Sequence, residues 1–286
     1  MTLQNYKDAQ DYLQKLASMQ DDDIHLGRAA ISLSLSNSPE LSLGRFEAHM
    51  TRMADDLLAA HGALIDAGAA NDVSTMAAAI KQTFVEKYGY GGDKDRYDNL
   101  DNADLIQVIE QRKGLPIALS ILYMSVIRTV GWNVEGLNFP AHFIIRLERD
   151  GERLILDPFN DCAVLGAPEL RQILKEIAGD RAELSASYYQ PAKNREILIR
   201  LQNNIKHRQI EAEDYEGALA TVEKMALVDP DEIRLNLDRG VLLARLACPD
   251  AAIDALQIYA DRTDNPGERR DALLLIQQIQ QALNQG

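Results

Sequence analysis

Cysteine is scarce: the 286 residues hold only Cys162 and Cys248. Two thiols so far apart in sequence do not build the disulfide framework of a small secreted domain, and they form no close Cys pair for zinc. A bridge between them is open but unforced, and the count fits a reducing compartment. Histidine is also sparse. His25, His49, His61, His142 and His207 include no i, i+4 pair, so neither a metal site nor any cofactor is expected. No run of 18 apolar residues exists. The longest candidate, Leu115 to Val130, is broken by Ser120, Ser125 and Arg128, and reads as a buried helix rather than a membrane span. The first residues lack the basic patch and apolar stretch of a signal peptide, so a cytoplasmic location is expected. Bases are outnumbered, 30 Lys and Arg against 44 Asp and Glu, for a net charge of -14. Such a chain repels phosphate backbones, which argues against nucleic acid and membrane as partners.

What is present is mostly helix. Ala and Leu are plentiful while aromatic residues make up 6%. Over residues 1–88 apolar positions recur at helical spacing, as in Phe46, Met50, Met53 and Leu57, and again in Met76, Ile80 and Phe84. Asp21, Asp22 and Asp23 suit a helix start, and Pro39 punctuates the chain. The glycine-rich stretch from Tyr88 to Asn99 reads as a connector, because no Gly-Lys-Ser/Thr follows and no strand precedes. A short helix over Asn102 to Glu110 leads to an apolar helix, Ile117 to Val130. Pro116 fits its first position, where a missing N–H costs nothing, and Gly131 ends it.

The period then changes to two. Trp132–Leu137, His142–Leu147 and Arg153–Leu156 read as three strands, with Asp150-Gly151 as a hairpin turn. Glu169 to Ile177 returns to helix. Further on, Asp214-Tyr-Glu-Gly-Ala-Leu-Ala resembles Pro249-Asp-Ala-Ala-Ile-Asp-Ala, and Ala218 lies 34 residues before Ala252. That is the tetratricopeptide period. The fold class expected is α+β: a helical region over 1–88, an α+β core with a small antiparallel sheet over 89–185, and a helical array over 186–286.

Among the histidines, His142 differs by opening a predicted strand, while Asp157 closes the strand reached through the Asp150-Gly151 turn. Neighbouring antiparallel strands bring such ends together, and a carboxylate there fixes the tautomer of an imidazole base. On spacing alone, a partly buried strand histidine and a turn-forming aspartate are the plainer account of the two.

The stretches Glu110-Gln-Arg-Lys-Gly-Leu-Pro-Ile-Ala-Leu-Ser, Val134-Glu-Gly-Leu-Asn-Phe-Pro-Ala-His-Phe-Ile-Ile-Arg and Leu156-Asp-Pro-Phe closely resemble the SirB-one proteins. The likeness covers nearly the whole chain, and it implies a papain/transglutaminase-like core with C-terminal tetratricopeptide-like repeats. In active enzymes of that type a cysteine sits at the N-terminus of the central helix, where the helix dipole and a histidine favour its thiolate. The resemblance places Pro116 on that cysteine, His142 on the base and Asp157 on its orienter. Ser120, one turn along, is expected to point elsewhere. Cys162, just past Asp157, is one rescue to weigh, although no cation adjoins it in sequence. Glu110, Arg112, Lys113, Asn138 and Arg146 surround the motifs, and Arg112 and Asn138 are taken as cleft residues; a salt-bridged rim is the plainer account of such charges. Two readings follow. The first is a non-catalytic cytoplasmic interaction or regulatory protein that receives a protein or peptide partner on its repeats. The second is a hydrolase or acyl-transfer-type enzyme that uses a His142–Asp157 dyad with a nucleophile other than cysteine.

Overall fold

The computed structural model describes residues 6–35, 44–140 and 142–285; Pro39 and Ala141 lie outside them. The chain begins with helices α1 (Tyr6–Leu16), α2 (Leu26–Leu35), α3 (Gly44–Asp66) and α4 (Val73–Lys81), the last running into a π-helical turn over Gln82–Lys87. Strand β1 (Gly91–Gly92), helix α5 (Leu105–Gln111), strand β2 (Lys113–Gly114) and helix α6 (Pro116–Thr129) follow. Next come β3 (Asn133–Leu137), β4 (Ile144–Arg149), β5 (Glu152–Asp157) and β6 (Ala163–Leu165). Helices α7 (Ala167–Ala178), α8 (Asn194–Glu211), α9 (Tyr215–Val228), α10 (Arg234–Arg245), α11 (Pro249–Arg262) and α12 (Pro266–Gln285) complete an α+β fold with a C-terminal helical array. Among the described residues no helix is long and apolar enough to cross a membrane.

Two compact units divide the chain: Met1–Leu13 with Met19–Leu201, and Gln14–Ser18 with Gln202–Gly286. The division falls inside α8. The start of α8 explains this. Its first N–H groups, on Asn194 and Arg195, donate to the Asp21 carboxylate at 2.8 and 3.0 Å, and Ile197, Leu198 and Leu201 are buried. A carboxylate capping a helix start satisfies donors that the helix itself leaves orphaned.

In the first unit the centre is α6. From Pro116 to Met124 every residue is buried, and the helix carries no charge before Arg128. A helix apolar on all sides needs neighbours on all sides, and α2, α3, α5, β3 and β4 supply them. Each fully buried Leu or Ile there contributes roughly 1.5–3 kcal/mol. Helix α2 approaches closely because residue 27 is glycine: a Cβ there would lie 2.7 Å from Ser125 Oγ. The sheet runs β3-β4-β5-β6, antiparallel throughout. Leu170 and Leu174 of α7 cover Leu137, Phe139 and Ile144. The turn between β4 and β5 holds Asp150 at φ +52° and Gly151 at +84°, the mirror-image turn whose twist matches a hairpin. Two strand elements were not foreseen. β6 has three residues, and the β1–β2 pair is two residues long and parallel; neither length carries a readable period. One expectation fails at the strand start. β4 opens at Ile144, not His142, because the His142 N–H turns back to the Pro140 carbonyl at 2.6 Å.

In the second unit, Ala218 of α9 and Ala252 of α11 are completely buried, as closely packed helix pairs require. Gly240 has the same role between α10 and α11, where a Cβ would lie 2.5 Å from Leu256 Cγ. Across α10, α11 and α12, Glu268 pairs with Arg234 at 2.9 Å and accepts from Tyr259 Oη at 2.7 Å.

Candidate functional site

Asp157 ends β5 with its side chain 1% exposed. Burying a carboxylate is costly unless donors surround it, and here four do. Oδ1 accepts from the backbone N–H of Phe159 at 3.0 Å and of Asn160 at 3.3 Å; Oδ2 accepts from Asn160 Nδ2 at 2.8 Å and meets His142 Nε2 at 2.8 Å. Burial pushes the carboxyl's pKa up, but His142, Asn160 and the Phe159 N–H outweigh it and hold the group below the ordinary carboxylate range. An ionised Asp157 only accepts, so the imidazole donates through Nε2, and in the neutral ring the lone pair resides on Nδ1. That is the tautomer of a base held by its orienter.

The sequence places the start of α6 beside this pair through an unexpected intermediary. Gly91 N–H donates to the Arg112 carbonyl at 3.1 Å, Gly92 N–H to the Phe159 carbonyl at 3.0 Å, and Asp93 N–H to the Gly114 carbonyl at 3.4 Å. The β1 segment therefore bridges the residues leading into α6 and the turn that follows Asp157. Only glycine fits at 92, where a Cβ would lie 2.6 Å from the Phe159 ring. Phe159 in turn meets the His142 ring edge-on at 6.1 Å, and Tyr97 meets Phe159 at 5.8 Å.

Pro116, which the resemblance sets at the nucleophile position, is the first residue of α6 and is buried. Leu115 N–H, just before it, donates to the Asn102 carbonyl at 2.8 Å. Proline supplies neither a nucleophilic atom nor an ionisable group. Ser120 is completely buried. Cys162 is 3% exposed, and burial together with the Asp157 charge pushes its thiol up to about 12, against a small opposing effect of Lys81. A reactive thiolate needs the reverse environment, which argues against Cys162 as a substitute nucleophile.

The two cleft candidates separate. Arg112 adopts a left-handed conformation, φ +62°, and turns inward. Its guanidinium donates to Tyr90 Oη, lies 2.7 Å from His49 Nε2 and stacks 4.8 Å from the Tyr90 ring centroid. His49, buried, is pushed down to about 4 by desolvation and then by Arg112 and Arg52. Tyr90 is raised by burial. Asn138 is exposed, and its N–H donates to the Gln190 carbonyl at 3.1 Å. Of the other motif charges, Arg146 donates to the Tyr189 carbonyl at 3.0 Å and pairs with Glu135, and Glu110 pairs with Arg45. Sequence reasoning missed Asn160, Tyr97 and the β1 bridge. Asn160 alone had a signal, three residues past an aspartate that ends a strand.

The arrangement defines a class: a buried central helix and an antiparallel sheet that carries a His–Asp pair at the end of β5, followed in the chain by helical repeats. Residues 45–203 match the transglutaminase-like superfamily, and residues 205–280 match the tetratricopeptide repeat. The chain belongs to the transglutaminase-like superfamily. It is similar to a UPF0162 protein of Xylella fastidiosa (strain Temecula1), 31% identical over 185 residues, which are 64% of this chain and 66% of the relative. It thus spans 66% of that relative's length. A UPF0162 protein of Vibrio cholerae is 29% identical over 245 residues, 85% of this chain and 88% of the relative. F-box only protein 21 of Pongo abelii is 26% identical over 208 residues, 70% of this chain but 33% of that protein. No solved structure matches the chain.

Proposed function

We propose that this is a SirB-one-type protein, a degenerate transglutaminase-like core that works in the cytoplasm as a regulatory interaction module. Its helical repeats receive a protein or peptide. The observation that carries the reading is Pro116 at the first position of α6, because acyl transfer of this type needs a thiolate there. The repeat match over residues 205–280 supports the interaction role.

A second reading rests on its own observation. The ionised, four-donor Asp157 and the His142 tautomer it imposes are what a general base acting on water requires. One assay separates the two. Purified full-length protein and His142→Ala are compared for amide hydrolysis and for amine incorporation into a glutamine-containing peptide. The interaction reading expects no turnover in either. Turnover that falls by roughly 100-fold or more in His142→Ala establishes the base and overturns the non-catalytic reading.

A further inference from the structure

His142 lies just outside the regular ladder, between the tight turn at Pro140 and the start of β4 at Ile144. The 2.8 Å His142–Asp157 contact depends on where the imidazole ring is held. The restraint comes from α8. Arg200 is largely buried, and both terminal guanidinium nitrogens donate to the Phe139 carbonyl at 3.3 Å. The same guanidinium lies 5.1 Å from the Phe143 ring centroid. One planar group thus grips the residues on both sides of His142. Burial lowers the Arg200 pKa, and Tyr97, which packs on Phe159, opposes that fall. Lysine would bring a point charge without the fork.

We propose that Arg200 is the positioning residue of the His142–Asp157 pair: it holds Phe139 and Phe143, on either side of His142, so that the imidazole keeps Nε2–H on Asp157. The inference rests on reading that pair as a base and its orienter. It does not require that a substrate be known.

The test is ring-nitrogen NMR on full-length protein labelled at histidine, with the His142 signals assigned by His142→Ala. Wild type is expected to show a single Nε2–H tautomer, and Asp157→Asn to lose it. Arg200→Met is expected to give mixed tautomers and to speed solvent exchange of the Nε2 proton by roughly tenfold or more, with Arg200→Lys in between; tenfold corresponds to about 1.4 kcal/mol of lost restraint. A merely structural arginine would lower the melting temperature and leave the His142 signals unchanged, and that result overturns the proposal while leaving the dyad intact. A wild-type spectrum identical to that of Asp157→Asn overturns both the dyad reading and this one. If Arg200→Met gives no cooperative melting transition, the Arg200→Lys spectrum decides by the same criterion.

Discussion

His49 is expected to make the first unit sensitive to acid. His49 is 7% exposed on α3, and its Nε2 contacts Tyr90 Oη at 2.8 Å and Arg112 at 2.7 Å. Arginine offers only N–H groups, so Nε2 must accept and the ring must stay neutral. Burial first, and then the Arg112 and Arg52 charges, lower the His49 pKa on folding from 6.5 to about 4. Between those values the unfolded chain binds a proton that the folded chain refuses. Stability from this group is complete above pH 6.5 and is lost as pH falls toward 4, at about 1.4 kcal/mol per pH unit. From pH 7 to pH 5 the loss comes to about 2 kcal/mol, a large share of a typical margin of roughly 5–15 kcal/mol. Urea unfolding of wild type and His49→Gln at both pH values isolates the effect, because glutamine stays neutral and the carboxylates that also titrate are common to both proteins. The variant is expected to be less stable at pH 7 yet to lose about 2 kcal/mol less on acidification. Equal losses in the two proteins would refute the account.

Other outcomes follow from the same geometry. Pro116→Cys places a thiol at the start of α6 beside the dyad, and its reaction with iodoacetamide should titrate at or below about pH 7.5, moving toward 8.5 when His142→Ala is added; a thiol that titrates at 8.5 in both removes residue 116 from the nucleophile position. Asp21→Ala frees the Asn194 and Arg195 N–H groups and should cost about 1–2 kcal/mol in urea unfolding. Gly240→Ala drives a methyl to within 2.5 Å of Leu256 Cγ and should destabilise the repeats by about 1–3 kcal/mol, seen as a lower melting temperature. An unchanged melting curve would show that α10 and α11 shift apart freely.

Local chemistry was legible along the chain. An apolar run with no charge before Arg128, opened by proline and followed by Gly131, announced α6, because a proline start and a glycine stop act within one turn of backbone. Asp150-Gly151 announced its hairpin for the same reason, through positive φ. The spacing from Ala218 to Ala252 announced the repeats, since small residues must recur wherever paired helices approach. Even the pairing of His142 with Asp157 could be anticipated from strand order. The start of β4 could not, because one carbonyl, that of Pro140, draws the His142 N–H away from the ladder.

Tertiary structure alone decided the rest. Arg112 and Arg146 look alike in sequence, as cations beside a motif. Only packing shows the first folded onto Tyr90 and His49 and the second tied to Tyr189 and Glu135. Cys162 reads as a spare nucleophile until burial raises its pKa to about 12. The sequence by itself determined that residue 116 brings no nucleophile, since that is a property of proline's atoms. Whether the remaining pair is set as a base depends on solvent exclusion and on donors from residues 159 and 160, with Arg200 gripping the bend. Those groups meet only when the chain folds, because burial and distance are properties of the assembled core rather than of any single segment.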